Sequence, residues 1–362
     1  MFSQHHRVLI ILHDEFYLLQ ALEEAKKGRG FCSPNPAVGA VAVKNNQIIA
    51  RGYHRAAGLA HAEIECMSQF PKHTPDVTLY ISLEPCNHFG KTPPCVNAII
   101  EHGIQKVVYG LHDPNHLVRA LDSNQILKMH HIETQSMVLP EIEEFYKSYV
   151  YWTQHKKSWV SAKWAQTLDG KNGLEGQNIH FINQEAFEFT HSCRYHADII
   201  LSTAQTILND NSEFSARIKD KTYPKPLAII DSQLRLTGKE ACFSLQRPIW
   251  IFHNQLYQPE LPLEHVQYIS LDSHPEHGLD LSLVLQCIAQ IGFHDIWVEA
   301  GAKMMAELHH LGLVNTSYIY LVPEIFGTNG TSAFQEPYIN FQKAATIEWV
   351  PMGTNVRAKI NW

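Results

Sequence analysis

His61, Cys86 and Cys95 are metal-type donors spread along the chain, and a fold that uses them together must bring separate segments to one point. The local patterns show how. His61 opens a predicted helix over 61–70, Cys86 follows a predicted strand over 77–83, and Cys95 precedes a predicted helix over 96–102 that ends at Gly103. Helix N-termini carry partial positive charge and free amide donors, which favour thiolates and help seat three donors on one ion. Three protein donors leave the fourth tetrahedral position open to water, as in reacting rather than structural zinc sites. Such an ion makes hydroxide available near neutral pH. Glu63, two residues beyond His61, projects near the ion without binding it and can carry protons to a pyrimidine-like ring and its departing amino group.

A lone His-x-Glu or cysteine pair means little, and inert buried cysteines beside a surface histidine are the plain alternative. The ordered combination is far more specific, because Ser82-Leu83-Glu84-Pro85-Cys86-Asn87-His88-Phe89-Gly90-Lys91-Thr92-Pro93-Pro94-Cys95 is an unusual run. Nucleobase deaminases commonly have two residues between their cysteines; here there are eight.

At 362 residues the chain suits two domains. A net charge of −7 disfavours nucleic acid as main partner. Seven cysteines without a disulfide-like framework read as reduced, cytoplasmic thiols. Val8–Leu12 is too short for a signal core or a membrane span, so the first dozen residues read as a loosely ordered lead-in, with no targeting segment and no membrane partner. Most of the 23 histidines read as solvated or satisfied core residues.

A helix is expected from about Asp14 to Lys27, then the rigid loop Ser33-Pro34-Asn35-Pro36. A hairpin follows, with strands over 38–43 and 47–52, and a further strand over 106–110. The amphipathic helix over about 140–155 reads as the connector, giving domains 1–146 and 153–362 with 147–152 inside the connector. Beyond it, predicted strands (160–164, 199–202, 227–231, 248–253, 296–299, 318–322) alternate with helices near 184–194, 206, 281–291 and 304–311, an α/β pattern.

The first half resembles the deaminase domain of the bifunctional riboflavin-biosynthesis deaminase–reductases. The matching pieces are Pro34-Asn35-Pro36-Ala37-Val38-Gly39, Gly52-Tyr53-His54, His61-Ala62-Glu63 and Leu83 through Cys95, whose long intercysteine gap suits this family. The resemblance implies a cytidine-deaminase-like three-layer α/β/α domain, zinc at His61, Cys86 and Cys95, Glu63 as the catalytic proton shuttle, and substrate contacts from Asn35, His54, His88 and Lys91. An amide suits a diaminopyrimidinone edge, and a lysine among imidazoles a phosphoribosyl tail. Asn35 as a turn residue and Lys91 as a solvated charge are the structural alternatives. One departure follows Asp113-Pro114-Asn115, where His116-Leu117-Val118-Arg119-Ala120-Leu121-Asp122 stands in place of the family's Gly-rich turn, so an altered loop is expected there.

The second half looks like the same family's reductase domain, with a dihydrofolate-reductase-like α/β fold. The landmarks are Lys163, Leu168-Asp169-Gly170-Lys171, Arg194, Thr206 to Asp210, Arg217, Ile230-Asp231-Ser232, Val298-Glu299-Ala300-Gly301 and Gly312-Leu313-Val314. The resemblance implies NADPH held by Lys163, Thr206, Asp210, Ser232, Glu299 and Gly301, and substrate held by Arg194, Arg217 and Glu299. Lys163 and Asp210 are the candidates to polarise or protonate the opening sugar oxygen, and Arg194 and Arg217 the phosphate clamps. No Rossmann Gly-x-Gly-x-x-Gly is present. Several motifs are worn: Gly176-Gln177-Asn178 with His180-Phe181-Ile182, Asp210 through Arg217, and Glu299-Ala300-Gly301 all depart from the family's text.

The implied activity is hydrolytic deamination of 2,5-diamino-6-(5-phosphoribosylamino)pyrimidin-4(3H)-one, then NADPH-dependent reduction of its deaminated product, in an expected homo-oligomer formed through the C-terminal domain. The competing readings are a single-function deaminase with a degenerate, structural second domain, a nucleic-acid binder and a structural zinc protein. Neither a basic groove nor a fourth ligand supports the last two.

Overall fold

Two features start the first sheet: the apolar run Gly39–Lys44 and the turn Asn45-Asn46, both of whose residues have positive φ. The computed structural model describes residues 4–88, 93–115, 122–174, 182–259, 262–274, 278–334 and 346–362. The chain divides into compact units 1–156 and 157–362.

In the first unit the order is α1 (Gln4–Gly28), β1 (Gly39–Lys44), β2 (Gln47–Tyr53), α2 (Ala62–Met67), β3 (Val77–Ile81), α3 (Cys95–His102), β4 (Lys106–Tyr109), α4 (Ser123–Met129), β5 (Glu133–Ser136) and α5 (Pro140–His155). The sheet runs β2-β1-β3-β4-β5, antiparallel up to β3 and parallel from β3 to β5. Both its faces are covered. Ala40, Ala42, Leu79, Ile81 and Val107 face Cys66, Val96, Ile99 and Leu127 from α2, α3 and α4. Val41, Val43, Tyr80 and Val108 face Leu18, Leu22, Ile142 and Tyr146 from α1 and α5. This is the three-layer α/β/α arrangement.

Two expectations change here. The first dozen residues are not a loose lead-in, because α1 starts at Gln4. The helix over 140–155 belongs wholly to the first unit: Ile142, Phe145, Tyr146 and Tyr149 bury its apolar stripe in that unit's core, and the helix stops at Lys156 in the left-handed region. The loop expected to be altered, 116–121, lies outside the described residues.

The second unit continues with β6 (Trp159–Thr167), β7 (Lys171–Leu174), α6 (Gln184–His196), β8 (Ile199–Thr203), α7 (Ala204–Asp210), β9 (Ser215–Ile218), β10 (Lys221–Pro224), β11 (Leu227–Ile230), β12 (Ile249–Asn254), β13 (Val266–Leu271), β14 (Ser273–His274), β15 (Gly278–Leu279), α8 (Leu281–Ile291), β16 (Asp295–Val298), α9 (Ala302–His310), β17 (Thr316–Val322), β18 (Gly330–Ser332), β19 (Thr346–Met352) and β20 (Asn355–Asn361). Nine strands form one sheet in the order β13-β12-β11-β8-β16-β6-β17-β20-β19, parallel from β13 to β17 and antiparallel beyond. One face packs on Val284, Ile288, Met305 and Leu308 of α8 and α9. Ile200, Ile229, Ile251 and Trp297 form the other face, which packs on Ile207, Phe214 and Phe243.

From β8 the chain moves to β11, β12 and β13 on one side, while β16 and β6 lie on the other, so the β8–β16 boundary is where strand order reverses. In open parallel sheets ligands collect at the carboxyl ends of strands beside such a boundary.

Candidate active sites

The first site is assembled by the starts of α2 and α3. Gly52 on β2 lets α2 lie against the sheet; a Cβ there would come within 2.5 Å of the backbone at Ala62 and Cys66. That contact seats His61 as the residue preceding α2, with its carbonyl accepting from the N–H of Glu65. The start of α3 has no side-chain cap. Its N–H groups go to Cys86 instead: the Cys95 N–H donates to Cys86 Sγ at 3.4 Å and the Val96 N–H to the Cys86 carbonyl at 3.2 Å. A helix terminus therefore stabilises the Cys86 thiolate directly.

His61 Nδ1 lies 3.5 Å from Cys86 Sγ and 3.2 Å from Cys95 Sγ, and the three donor atoms all fall within 4.8 Å of one another. Zinc bonds of about 2.1 Å to nitrogen and about 2.3 Å to sulfur, at tetrahedral angles, put N and S about 3.5 Å apart. The donor set and its spacing fit zinc. Hydrogen bonds from Cys95 and His61 push the Cys86 thiol down, while the Cys86 sulfur and burial push Cys95 up. Glu63 is 3% exposed, and burial, then the Cys86 charge, pushes its carboxyl up to about 7.

These groups open onto a cavity of about 340 Å³ whose lining includes Asn35, His54, His61, Glu63, Cys86 and His88. His54 is buried and its pKa lies below the usual histidine value because of that burial. The Ala60 carbonyl fixes its tautomer: Nδ1–H donates there at 3.0 Å, which leaves Nε2 to accept from the Asn35 amide at 3.2 Å. Asn35 thus turns its amide oxygen to other donors. His88 Nδ1 is buried with no hydrogen-bond partner among the described residues. Lys91 lies outside them.

The cavity also has a wall that the sequence reading did not assign. Asp113 and Asn115 line it, as do Tyr149 and Trp152 from α5. Tyr149 donates to the Asp113 carboxylate at 3.0 Å, and the Asn115 N–H donates to the same oxygen at 2.9 Å. Burial pushes Asp113 up to about 6 despite these bonds. The one available signal was Asp113-Pro114-Asn115 in the loop after β4, a position where side chains serve sites.

The second constellation gathers where strand order reverses. Thr206 and Asp210 follow β8 on α7, Ser232 follows β11, and Glu299 and Gly301 follow β16 before α9. Gly301 precedes α9 with no side-chain cap and open space around its Cα, which leaves first-turn N–H groups for an anion. Lys163 enters from β6, largely but not fully buried, 3.8 Å from Glu299 Oε2 and over the Tyr320 ring at 5.3 Å. Its pKa is lowered by burial, against the pull of Glu299 and, more weakly, Asp210.

Arg194, expected at the substrate phosphate, is engaged within the protein. Its Nε and Nη2 donate to the Glu299 carboxylate at 2.6 and 3.0 Å, and its Nη1 to the Ser215 carbonyl at 3.0 Å. The Trp297 indole donates to the same carboxylate at 2.8 Å. Burial would raise the Glu299 pKa, but Arg194 and Lys163 hold it at about 2. Arg217 lies over the Phe187 ring and against His191, a residue the sequence reading passed over. Of the worn motif, residues 175–181 lie outside the described residues.

The geometry defines a zinc-dependent deaminase joined to an α/β reductase. A family profile for the cytidine and deoxycytidylate deaminase zinc-binding region matches residues 12–111, and one for the RibD C-terminal domain matches residues 158–356. The riboflavin biosynthesis protein RibD of Escherichia coli is 29% identical over 331 residues, 88% of this chain and 90% of its own. That of Aquifex aeolicus is 31% identical over 319 residues, 87% and 88%. The solved Thermotoga maritima diaminohydroxyphosphoribosylaminopyrimidine deaminase/5-amino-6-(5-phosphoribosylamino)uracil reductase superposes with a TM-score of 0.83 at 29% identity, covering 96% of this chain and 98% of that one. The chain belongs to the RibD family of bifunctional riboflavin-biosynthesis deaminase–reductases. It is an enzyme that uses zinc and NADPH and carries both catalytic domains, which favours the bifunctional reading over a single deaminase.

Proposed function

We propose that the first unit hydrolytically deaminates 2,5-diamino-6-(5-phosphoribosylamino)pyrimidin-4(3H)-one. The second unit then reduces the ribosyl group of 5-amino-6-(5-phosphoribosylamino)uracil to ribityl with NADPH. The observation that carries the first half is the convergence of His61, Cys86 and Cys95 beside buried Glu63, with His61, Glu63 and Cys86 lining one cavity. His61, Cys86 and Cys95 would hold the zinc, which supplies hydroxide near neutral pH. Glu63 takes the proton from the attacking water and delivers protons to the ring and the leaving ammonia. Asn35 and His54 act as one unit on the ring edge, and the unpartnered His88 Nδ1 offers a further contact. Lys91 is assigned to the phosphoribosyl tail by family resemblance alone.

In the second unit Thr206, Ser232 and the N–H groups after Gly301 lie along the strand ends and are assigned to NADPH. Lys163 and Asp210 are assigned to the sugar oxygen. Arg217 is the phosphate clamp, with Arg194 holding Glu299 in place. Hydride transfer then needs little beyond alignment of nicotinamide and sugar.

None of the seven cysteines, all among the described residues, forms a disulfide, which supports a reducing compartment, the cytoplasm. No described helix is long and apolar enough to cross a membrane. A homo-oligomer through the second unit is supported by β19, an edge strand that exposes Ile347 and Trp349.

The test is to supply the diaminopyrimidinone phosphate with and without NADPH. Ammonia is released in both cases, and NADPH is oxidised only after deamination. NADPH oxidation that never follows ammonia release would favour the single-function alternative.

A further inference from the structure

The first unit's cavity holds a buried carboxylate that the zinc chemistry does not use. Asp113, in the loop after β4, is 4% exposed and lines that cavity. The loop is held from two sides. The Asp113 main-chain N–H donates to Glu84 Oε2 at 3.3 Å. On the side chain, the Tyr149 hydroxyl and the Asn115 N–H both donate to Oδ1, at 3.0 and 2.9 Å. Among the described residues Oδ2 accepts from no donor, and no cation pairs with the carboxylate.

Tyr149 reaches Asp113 from α5 and is itself firmly seated. Its ring is buried and stacked on Trp152, with centroids 6.4 Å apart and planes 24° from parallel. Burial, then the Asp113 charge, pushes the phenol well up, so the hydroxyl keeps its proton and serves Asp113 as a donor. Burial pushes Asp113 up to about 6, which leaves it mainly ionised at pH 7. One carboxylate oxygen is therefore occupied by two donors, and the other is a charged acceptor left for the cavity. A buried charge with an unused acceptor is unfavourable. A donor carried by a ligand removes that cost.

Conversion of the diaminopyrimidinone to the 5-aminouracil removes the amino group at C2 and leaves two kinds of donor in place, the 5-amino group and the ribose hydroxyls. We propose that Tyr149 is a positioning residue of the deaminase: its hydroxyl fixes Asp113 Oδ1, so that Oδ2 accepts a hydrogen bond from the 5-amino group or the ribose hydroxyls of the substrate. This rests on the reading of the cavity as the diaminopyrimidinone site. Asp113 makes the contact, and Tyr149 acts only through it.

The experiment measures ammonia release by the full-length enzyme with the diaminopyrimidinone phosphate and with two analogues, one lacking the 5-amino group and one lacking the ribose 2′- and 3′-hydroxyls. Tyr149→Phe removes only the hydroxyl, and Asp113→Asn removes the charge at nearly constant shape. With the natural substrate KM rises about tenfold in Asp113→Asn and about threefold to tenfold in Tyr149→Phe. In both, kcat stays within about twofold and zinc content is unchanged. The double variant is no worse than Asp113→Asn alone, because the two side chains act as one unit. With one of the analogues both single variants match wild type, and that analogue names the group that Asp113 reads. Multiplying losses in the double variant overturn the inference. So does a Tyr149→Phe loss that is equal with all three compounds, falls on kcat alone, or comes with lost zinc, since the bond would then be structural only. The two levels separate on the wild type. If it releases no ammonia from the pyrimidinone, the reading of the cavity fails; if it does and KM in Asp113→Asn is unchanged, that reading stands and the Asp113 and Tyr149 roles fail.

Discussion

Glu63 is a buried carboxyl and Glu299 a largely buried one, and their neighbours drive them in opposite directions. Glu63 lies beside sulfur donors and is pushed up to about 7, while Glu299 lies between Arg194 and Lys163 and is held at about 2. Replacing Glu63 with Gln keeps the shape and removes the proton carrier. Deaminase kcat is expected to fall by about 10² to 10⁴ with zinc content unchanged; ammonia assays and metal analysis on one preparation check both. Glu299 makes a pH-dependent contribution. Its folded pKa is depressed, so the stabilisation is complete above about pH 4.5, of the order of 3 kcal/mol, and is lost as the pH falls toward 2. Urea unfolding of wild type should lose stability more steeply over that window than Glu299→Gln does; parallel slopes would contradict the ion-pair account.

At the scale of elements, the sites depend on how closely helices approach sheets. Gly52 is where α2 meets β2. Gly52→Ala should displace α2, lower zinc affinity by about tenfold or more, and cut ammonia release, while NADPH oxidation with pre-deaminated substrate continues. Zinc titration of the variant measures it. The same scale shows what was legible in the sequence. The starts of α2 and α3 were readable because His61 and Cys95 mark them, and Gly103 marks the end of α3. Helix α4 was missed: it has seven residues, and its cap, Asp122 accepting from the Asn124 N–H, adjoins an unfamiliar loop. Strand β19 was missed because most of its residues are exposed, which erases the two-residue alternation. Tyr149 was missed for another reason: its role comes from a contact with Asp113 in a distant segment, which no local pattern encodes.

For the molecule as a whole, two catalytic units on one chain should be separable by treatments that touch only one of them. The proposed homo-oligomer would use the exposed Trp349 on edge strand β19. Trp349→Lys should shift the protein toward monomer in light scattering, whereas an unchanged mass would remove this edge from the proposed interface. The central claim is that His61, Cys86 and Cys95 hold a zinc ion on which ammonia release depends. The most direct measurement is stepwise removal of metal by a chelator from one preparation, with zinc content, ammonia release and NADPH oxidation of pre-deaminated substrate followed together. Ammonia release should fall in proportion to zinc and return when zinc is restored, while NADPH oxidation stays constant. Undiminished ammonia release from metal-free protein would contradict the account.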